Sequence, residues 1–271
     1  MKPSGKRPLV SVIMSVYNSQ YTLSGAIDSI LSQTYPYLEF IICDDASTDN
    51  SLSVLSSYKD KRIKIIQNKE NRGVAYSLNS CLKFCTGEYI ARMDADDVAL
   101  NDRLSEQVSF LCQNRTIDAV GSSISIWDGK KIVGVRRFPE YPNKYHLIGS
   151  NPFAHPTMMI KREVYQTLQG YTVSEATRRA EDLDLWFRFF AKGYKAYNLQ
   201  KSLLIYSETN RDLQRRTFRA AMGIAKVYYS GCKMLDLPLL SRYCCVKPII
   251  SSLVPVCLKV LLRNRHCSLK V

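Results

Sequence analysis

Short apolar runs alternate with helical patterns over the first hundred residues, and this alternation restricts the fold more than any other feature. The segment YTLSGAIDSILSQ, for example, has apolar residues at helical spacing directly after the first apolar run. Continuous apolar strands alternating with helices predict a mostly parallel sheet covered on both faces. We therefore expect an α/β fold with a Rossmann-like central sheet flanked by helices. The predicted strands are Leu9–Ser15, Phe40–Asp44, Ile63–Ile66 and Glu88–Met93.

The composition is that of a globular chain with a basic tail. Hydrophobic residues make up 46% of the 271 residues, which is enough for a sizeable core. The formal net charge is +14, and residues 211–271 hold twelve Lys or Arg against two Asp. Such a tail indicates attraction to an anionic surface. Its basic residues lack the aromatic interleaving of a base-stacking platform, so nucleic acid is not an expected partner. The nine scattered cysteines, without a C-x-x-C pair, indicate reduced thiols in a cytosolic protein.

The pattern changes after Leu104, where mixed strand pairing is predicted. A hairpin turns at Asp128-Gly129, and an amphipathic helix in AEDLDLWFRFFAKG ends at Gly193. In the tail, residues 211–234 form a basic helix, followed by the apolar segment VKPIISSLVPVCLKVLLRNR. Prolines and a lysine interrupt that segment, so it does not span a membrane and better fits a helix lying in the interface. The alternative is a basic helix that packs on the domain.

Polar residues follow the predicted strands at their carboxyl ends. Ser15 and Tyr17 follow the first strand, Asp45 the second, and Arg72 lies in the turn after the third. Because ligands bind outside the carboxyl ends of parallel strands, these side chains are expected in one crevice. Tyr17 is suited to stacking on a base, Asp45 to accepting from a base N–H, and Arg72 to contacting a phosphate.

Three carboxylates, Asp94, Asp96 and Asp97, crowd together at the end of the fourth strand. Oxygen ligands at this spacing suit Mn²⁺ or Mg²⁺, since Asp94 and Asp96 share one side of an extended segment. The alternative is a solvated acidic turn before the next helix. The segment is not an EF-hand loop, because it lacks the glycine and the glutamate that such a loop requires. Neither a P-loop nor a dinucleotide fingerprint occurs, so a bound diphosphate would need a metal to neutralise its charge.

Five segments in order resemble the motifs of family 2 glycosyltransferases with the GT-A fold, especially bacterial enzymes that build surface polysaccharides. They are VSVIMSVYN, QTYPYLEFIICDDASTDNS, NRGVAYSLN, GEYIARMDADD and AEDLDLWFRF, and the match covers residues 8–205. The resemblance implies contacts to uridine from Ser15, Tyr17 and Asp45, with Arg72 beside the nucleotide. It makes Asp94 a ribose or metal contact and Asp96 the metal ligand. It also makes Asp182 the catalytic base, with Glu181 contacting the acceptor or supporting the loop.

The resemblance implies inverting transfer of a hexose or N-acetylhexosamine from a UDP-sugar to a saccharide, expected to be lipid-linked. A carboxylate base and a metal at the leaving diphosphate fit direct displacement. It also implies a GT-A domain with a nucleotide-sugar half (1–100), an acceptor half (101–210) and a basic helical extension (211–271). We expect the protein to be cytoplasmic and peripheral on the inner face of an anionic membrane. The alternative is a non-catalytic protein that binds a nucleotide sugar or a polyanion at the membrane.

Several positions near the acceptor remain open. His155 matches a family position near the acceptor loop, and it either touches substrate or is structural. Trp186 is either a core residue or part of the acceptor pocket, and Asp182 is a base, a helix N-cap or both. The family's YRxH segment is replaced by Tyr206-Ser207-Glu208-Thr209, for which Arg211 or Arg215 could substitute. The processive Q-x-x-R-W signature is missing, so one sugar per acceptor is expected.

Overall fold

The computed structural model describes residues 7–208 and 217–254, which form nine strands in one sheet and eight α-helices. The strands are β1 Val10–Val16, β2 Leu38–Asp44, β3 Ile63–Gln67, β4 Tyr89–Asp94, β5 Val98–Ala99, β6 Ala119–Trp127, β7 Ile132–Arg136, β8 Met159–Lys161 and β9 Ala196–Ser207. The helices are α1 Leu23–Leu31, α2 Ser51–Ser57, α3 Val74–Leu82, α4 Arg103–Gln113, α5 Arg162–Leu168, α6 Glu181–Ala191, α7 Phe218–Met234 and α8 Val246–Leu253.

The first half of the sheet has the predicted parallel arrangement. The strand order is β3-β2-β1-β4, and all three pairings are parallel. Ser15 near the end of β1 pairs with Cys43 of β2 on one side and with Asp94 of β4 on the other. The residues that follow β2 and β4 therefore flank the end of β1 at one edge of the sheet, as the alternation of strands and helices predicts.

The second half extends the same sheet with mixed pairing. β8 is antiparallel to both β4 and β6, whereas β6 and β9 are parallel. The predicted hairpin is formed by β6 and β7, and the short β5 pairs with β9 at the other edge. Because β5 follows the acidic turn after β4, its pairing with β9 brings the end of β9 to the site.

Apolar residues cover both faces of the sheet, as expected for strands buried on two sides. One cluster includes Ile90 with residues of α3, α5 and α6, and the other includes Tyr89 with residues of α1 and α4. Arg92 breaks this pattern, since it follows Ile90 by two positions on β4 and is only 6% exposed. A charged side chain therefore lies in the apolar layer directly behind the edge where polar residues gather.

The C-terminal region divides into two parts. α7 packs on α6 through Gly231, where an added Cβ would lie 2.2 Å from Cγ of Phe187. The alternative of a basic helix packed on the domain is thus correct for α7. No helix among the described residues has both the length and the apolar character needed to cross a bilayer. The segments 209–216 and 255–271, including the end of the predicted interfacial helix, lie outside the described residues. Among the described residues, Cys43, Cys81, Cys85, Cys112 and Cys244 form no disulfide.

Candidate active site

The acidic cluster forms because the chain turns sharply where β4 ends. One carboxylate oxygen from each of Asp94, Asp96 and Asp97 lies within 4.8 Å of the other two. Asp97 is 1% exposed, and its Oδ1 accepts from the backbone N–H of Ser207 at 2.9 Å. Its Oδ2 is buried without a hydrogen-bond partner among the described residues. Burial, and then repulsion from Asp94 and Asp96, raise the pKa of Asp97 well above its ordinary value.

This arrangement fits a divalent cation. The three ligand atoms are carboxylate oxygens, which Mg²⁺ and Mn²⁺ prefer. The buried Oδ2 of Asp97 has no hydrogen-bond partner among the described residues, so it is available to a cation. Asp94 and Asp96 are the predicted ligands. The sequence does not single out Asp97 as a ligand, but the structure places its carboxylate with those of Asp94 and Asp96, so all three could hold the ion.

Arg92 is a site residue that sequence reasoning did not identify. Its Nη1 lies 2.7 Å from Oδ1 of Asp94, and its side chain is 8% exposed. Burial lowers the pKa of the guanidinium, but Asp94 and, to a smaller extent, Glu181 raise it, so that Arg92 stays charged. The fully buried Arg103 supports this strand by donating from Nη2 to the Arg92 carbonyl at 2.7 Å. Arg92 therefore supplies a positive charge to the acidic cluster from the protein itself.

The predicted base lies in the first turn of α6. Oδ1 of Asp182 accepts from the backbone N–H of Leu183 at 2.7 Å, and Oδ2 accepts from Nδ2 of Asn151 at 2.7 Å. The N-cap position is occupied by Ala180, so the N-cap alternative for Asp182 is wrong. Its carboxylate instead binds a backbone donor inside the first turn, where a negative charge is favoured by the helix dipole.

Burial gives this carboxylate pair an unusual charge state. It raises the pKa of Asp182, while the Leu183 N–H, the Arg92 charge and Asn151 oppose the rise. Burial and repulsion from Asp182 raise the pKa of the adjacent Glu181 to about 7. A carboxylate with a raised pKa is a stronger base than an ordinary one, which suits proton abstraction near neutral pH.

Arg92 connects the two carboxylate groups electrostatically. Its charge lowers the pKa of both Glu181 and Asp182, and Asp94 in turn raises the pKa of Glu181. A single buried guanidinium therefore acts on the acidic cluster at the end of β4 and on the pair at the start of α6. The sequence contains one signal for this role, a charge inside an apolar strand two positions before Asp94 and so on the same side.

The nucleotide side of the site is organised by Asp45. This residue is 1% exposed, and its carboxylate accepts from Nδ2 of Asn68 and from the backbone N–H groups of Arg72 and Gly73 at 2.7–3.0 Å. Gly73 has φ = 86°, a conformation that favours glycine. Asp45 thus holds the turn that carries Arg72. Its contact with a base remains a prediction.

The remaining nucleotide candidates lie near this turn or at the end of β1. The Arg72 guanidinium lies 4.1 Å from the ring centre of Tyr76 and is 46% exposed. Tyr17 is 47% exposed directly after β1, as a stacking role requires, and Ser15 pairs with Asp94 in the sheet. All of the predicted nucleotide residues are therefore at the predicted edge, and their individual contacts remain predictions.

His155 and Trp186 lie deeper than the acceptor role requires. His155 is 6% exposed, and its Nε2 lies 3.0 Å from the hydroxyl of Tyr171. Burial lowers its pKa well below the ordinary value, which keeps the ring neutral. Trp186 is fully buried and packs against Phe153 and edge-to-face against His155. The structure does not support a direct acceptor contact by either side chain, because both are core residues beneath the site.

The segment that departs from the family pattern lies at the end of β9. Glu208 pairs with Arg136 at 2.6 Å, and Oγ of Ser207 donates to the carbonyl of Asp96. Ser207 therefore supports the acidic turn, through its hydroxyl to Asp96 and its backbone N–H to Asp97. Arg211 and Arg215, the predicted substitutes for the missing histidine, lie outside the described residues.

The sequence of most of this domain matches the model of a known protein family. The model described as Glycosyl transferase family 2 matches residues 11–169, which is more than half of the chain. The chain belongs to glycosyltransferase family 2. It is therefore a transferase, and the resemblance seen in the five sequence motifs is confirmed.

Curated relatives agree with this assignment. The putative glycosyltransferase EpsE of Bacillus subtilis is 43% identical over 251 residues, covering 92% of this chain and 90% of the relative. The UDP-Glc:alpha-D-GlcNAc-diphosphoundecaprenol beta-1,3-glucosyltransferase WfaP of Escherichia coli is 33% identical over 190 residues, covering 70% of this chain and 73% of the relative.

Solved structures with low sequence identity share the fold. The Staphylococcus aureus TarS 1-349 structure in complex with UDP-GlcNAc has a TM-score of 0.69 at 19% identity, covering 90% of this chain and 71% of that one. The Pyrobaculum calidifontis mannosyltransferase PcManGT, in complex with GDP-Man and Mn²⁺, has a TM-score of 0.64 at 20% identity, covering 97% and 81%. These similarities confirm the GT-A fold.

Proposed function

We propose that this family 2 enzyme transfers a hexose or N-acetylhexosamine from a UDP-sugar to a saccharide acceptor in cell-surface polysaccharide synthesis, with inversion at the anomeric carbon. The observation that carries the proposal is the position of Arg92. Its charge acts on the acidic cluster, suited to a diphosphate with its metal, and on Asp182, suited to an acceptor hydroxyl. Donor and acceptor chemistry would thus meet across one buried cation.

On the donor side, Asp94, Asp96 and Asp97 would hold Mn²⁺ or Mg²⁺. When bound, the ion would neutralise charge that develops on the departing diphosphate. Arg92 forms an ion pair with Asp94 and compensates part of the negative charge of the cluster before the donor arrives. Tyr17 and Ser15 would contact the uridine, while Asp45 sets the backbone of the Arg72 turn.

On the acceptor side, Asp182 would remove the proton of the attacking hydroxyl. Asn151 and the Leu183 N–H orient its two oxygens, and burial raises its pKa toward the range in which a base works best. Glu181 beside it, with a pKa of about 7, would hold a proton part of the time and donate to the acceptor. One base and one displacement, without a covalent intermediate, would give inversion.

The names of relatives support the substrate classes. TarS was solved with UDP-GlcNAc, and WfaP acts on a diphosphoundecaprenol-linked saccharide. A second relative is the putative teichuronic acid biosynthesis glycosyltransferase TuaG of Bacillus subtilis, 30% identical over 225 residues. We accordingly assign a lipid-linked acceptor and a peripheral position on the cytoplasmic face of the membrane. Residues 1–100 would bind the donor, residues 101–210 the acceptor, and residues 211–271 would form the extension.

The variant Asp182→Asn tests the base. We expect it to abolish UDP release from a panel of UDP-sugars with acceptor, while UDP binding measured by calorimetry with Mn²⁺ stays within about twofold of wild type. Asp184→Asn is the matched control, because Asp184 lies on the same helix turn but pairs with Arg188 and Thr172. Unchanged turnover in Asp182→Asn would refute the base assignment. A wild-type protein that binds UDP yet releases none from any donor would support the non-catalytic alternative.

A further inference from the structure

Six large apolar side chains form a continuous exposed row near the end of the described chain. They lie on the 3₁₀ turn Leu239–Cys245 and on α8, and their exposed fractions range from 50% to 88%. From Leu240 onward they recur every three or four residues, which places them on one side of a helical path. We call this row the apolar stripe: Leu239, Leu240, Tyr243, Val246, Ile250 and Leu253.

The side chains of the apolar stripe are half or more exposed and contribute little to the packing of the described domain. α7, directly before it, turns Ala221, Ala225 and Tyr228 inward against the core, whereas α8 has no buried residue among those described. Single exposed apolar residues are common on protein surfaces, but a continuous row indicates an interaction site. Because removing apolar surface from water is favourable, six such side chains together form a strong driving force for association.

The charges around the apolar stripe favour an anionic lipid surface as its partner. The exposed Lys233 precedes the stripe along the chain and the exposed Lys247 lies between two of its residues, while the stripe itself contains no carboxylate. From residue 217 to 271 the sequence has nine Lys or Arg and one Asp. An apolar row bordered by cations is the pattern of a helix that lies in the membrane interface, with its cations at the lipid headgroups.

Residues next to the apolar stripe in the chain are hydrogen-bonded to the segment 144–149, which lies just before the partner of the predicted base. Nζ of Lys247 donates to the carbonyl of Gly149, and Nζ of Lys144 donates to the carbonyl of Leu235 at 3.2 Å. Two residues after Gly149, Asn151 donates to Asp182. The end of α7 and the helix α8 are therefore linked to the acceptor side of the site through residues 144–151.

We propose that the apolar stripe is the surface on which this chain docks to an anionic bilayer, and that docking brings Asp182 to the saccharide of a lipid-linked acceptor. The bilayer contact stands on the exposed residues and charges alone. The positioning of Asp182 at the acceptor rests on the proposed function, since it needs a glycosyl acceptor that is embedded in lipid.

Vesicle binding of the full chain tests the docking surface. The probes are vesicles of phosphatidylglycerol mixed equally with phosphatidylcholine, and vesicles of phosphatidylcholine alone. We expect Leu240→Asp combined with Ile250→Asp to weaken binding to the anionic vesicles on the order of tenfold or more. Tyr21→Asp is the matched control, because Tyr21 is 93% exposed and lies before α1, away from the stripe. Circular dichroism verifies that each variant is folded.

Two acceptors separate this proposal from the proposed function. The stripe variant should lose transfer to a polyprenyl-diphosphate saccharide in vesicles but retain transfer to a short water-soluble saccharide. A wild-type protein that binds anionic vesicles and transfers sugar to neither acceptor would refute the proposed function and leave the docking surface standing.

Three results would overturn the docking surface. The first is unchanged vesicle binding by the stripe variant. The second is a concentration-dependent dimer that the variant abolishes while it still binds vesicles, which would assign the stripe to a second copy of the chain. The third is a lowered thermal midpoint without vesicles combined with unchanged vesicle binding, which would mean that the chain itself covers the stripe.

Discussion

Replacing Arg92 by Met tests whether one buried cation tunes the site. The substitution keeps an unbranched side chain of similar length but removes the charge that lies 2.7 Å from Asp94. Burial raises the pKa of Asp182, and Arg92 is one of the groups that lower it. Without Arg92, fewer groups oppose the effect of burial. The pKa of Asp182 therefore rises in the variant, and the base becomes active only at higher pH.

The size of the pKa change in Asp182 and the loss of stability both follow from the burial of Arg92 and from the other groups that act on Asp182. An opposite charge nearby shifts a carboxyl pKa by about 1–3 units, and Arg92 is one of several groups that lower that of Asp182, so we expect about one unit. Removing one partner of a fully buried ion pair costs roughly 3–5 kcal/mol. Asp94 is 31% exposed, and water stabilises part of its charge, so we expect a loss of about 2–4 kcal/mol in unfolding free energy.

The assay is the pH dependence of kcat/KM with a saturating divalent cation. The acid limb should move about one pH unit upward in Arg92→Met, with rates converging toward wild type at high pH. Arg92→Lys keeps the charge and should keep the position of the limb, although it loses the fork of donors. A folded Arg92→Met enzyme whose acid limb coincides with that of wild type would refute the electrostatic role of Arg92.

Glu181→Gln should stabilise the protein at neutral pH. Burial raises the pKa of Glu181 from 4.5 to about 7, so the wild-type protein loses unfolding free energy as the pH rises between these values, and the variant does not. Thermal unfolding across pH should show a gain of up to about 3 kcal/mol above pH 7 and none below pH 4. Asp96→Asn should weaken Mn²⁺-dependent UDP binding by at least about 10- to 100-fold in calorimetry, and metal-independent binding by wild type would contradict the cluster's role. Gly231→Ala should cost about 1–3 kcal/mol by crowding Phe187, whereas Gly25→Ala, with open space around it, should not destabilise.

The edge of the sheet at which the site forms could be predicted from the sequence for a simple reason. Parallel strands buried on both faces must be continuously apolar, so their ends are marked where polar residues begin, as at Asp45 and Asp94. β1 was predicted as Leu9–Ser15 and is Val10–Val16 in the structure. Since β1 lies between β2 and β4, the residues after those strands converge without any knowledge of loop conformation.

The interior of the site could not be predicted, because it depends on contacts between distant parts of the chain. Period-two alternation places Arg92 on one side of β4, but it does not reveal that Glu181 lies opposite. For the same reason the sequence leaves open whether His155 and Trp186 contact the acceptor or belong to the core. A histidine in a proline-flanked segment carries no sequence signal of depth, and only the packing of Tyr171 and Phe153 shows that these two rings are core.

Asn151→Leu separates orientation of the base from its charge environment. Asn151 donates to Oδ2 of Asp182, and Leu has a similar size but no donor. Loss of this hydrogen bond raises the pKa of Asp182 and also frees one oxygen to rotate, so the acid limb should move upward and the plateau of kcat should fall. Arg92→Met moves the same limb but leaves the Asn151 contact in place. We therefore expect the plateau to fall in Asn151→Leu and to stay near wild type in Arg92→Met. A plateau in Asn151→Leu that stays near wild type would show that Asn151 does not position the base.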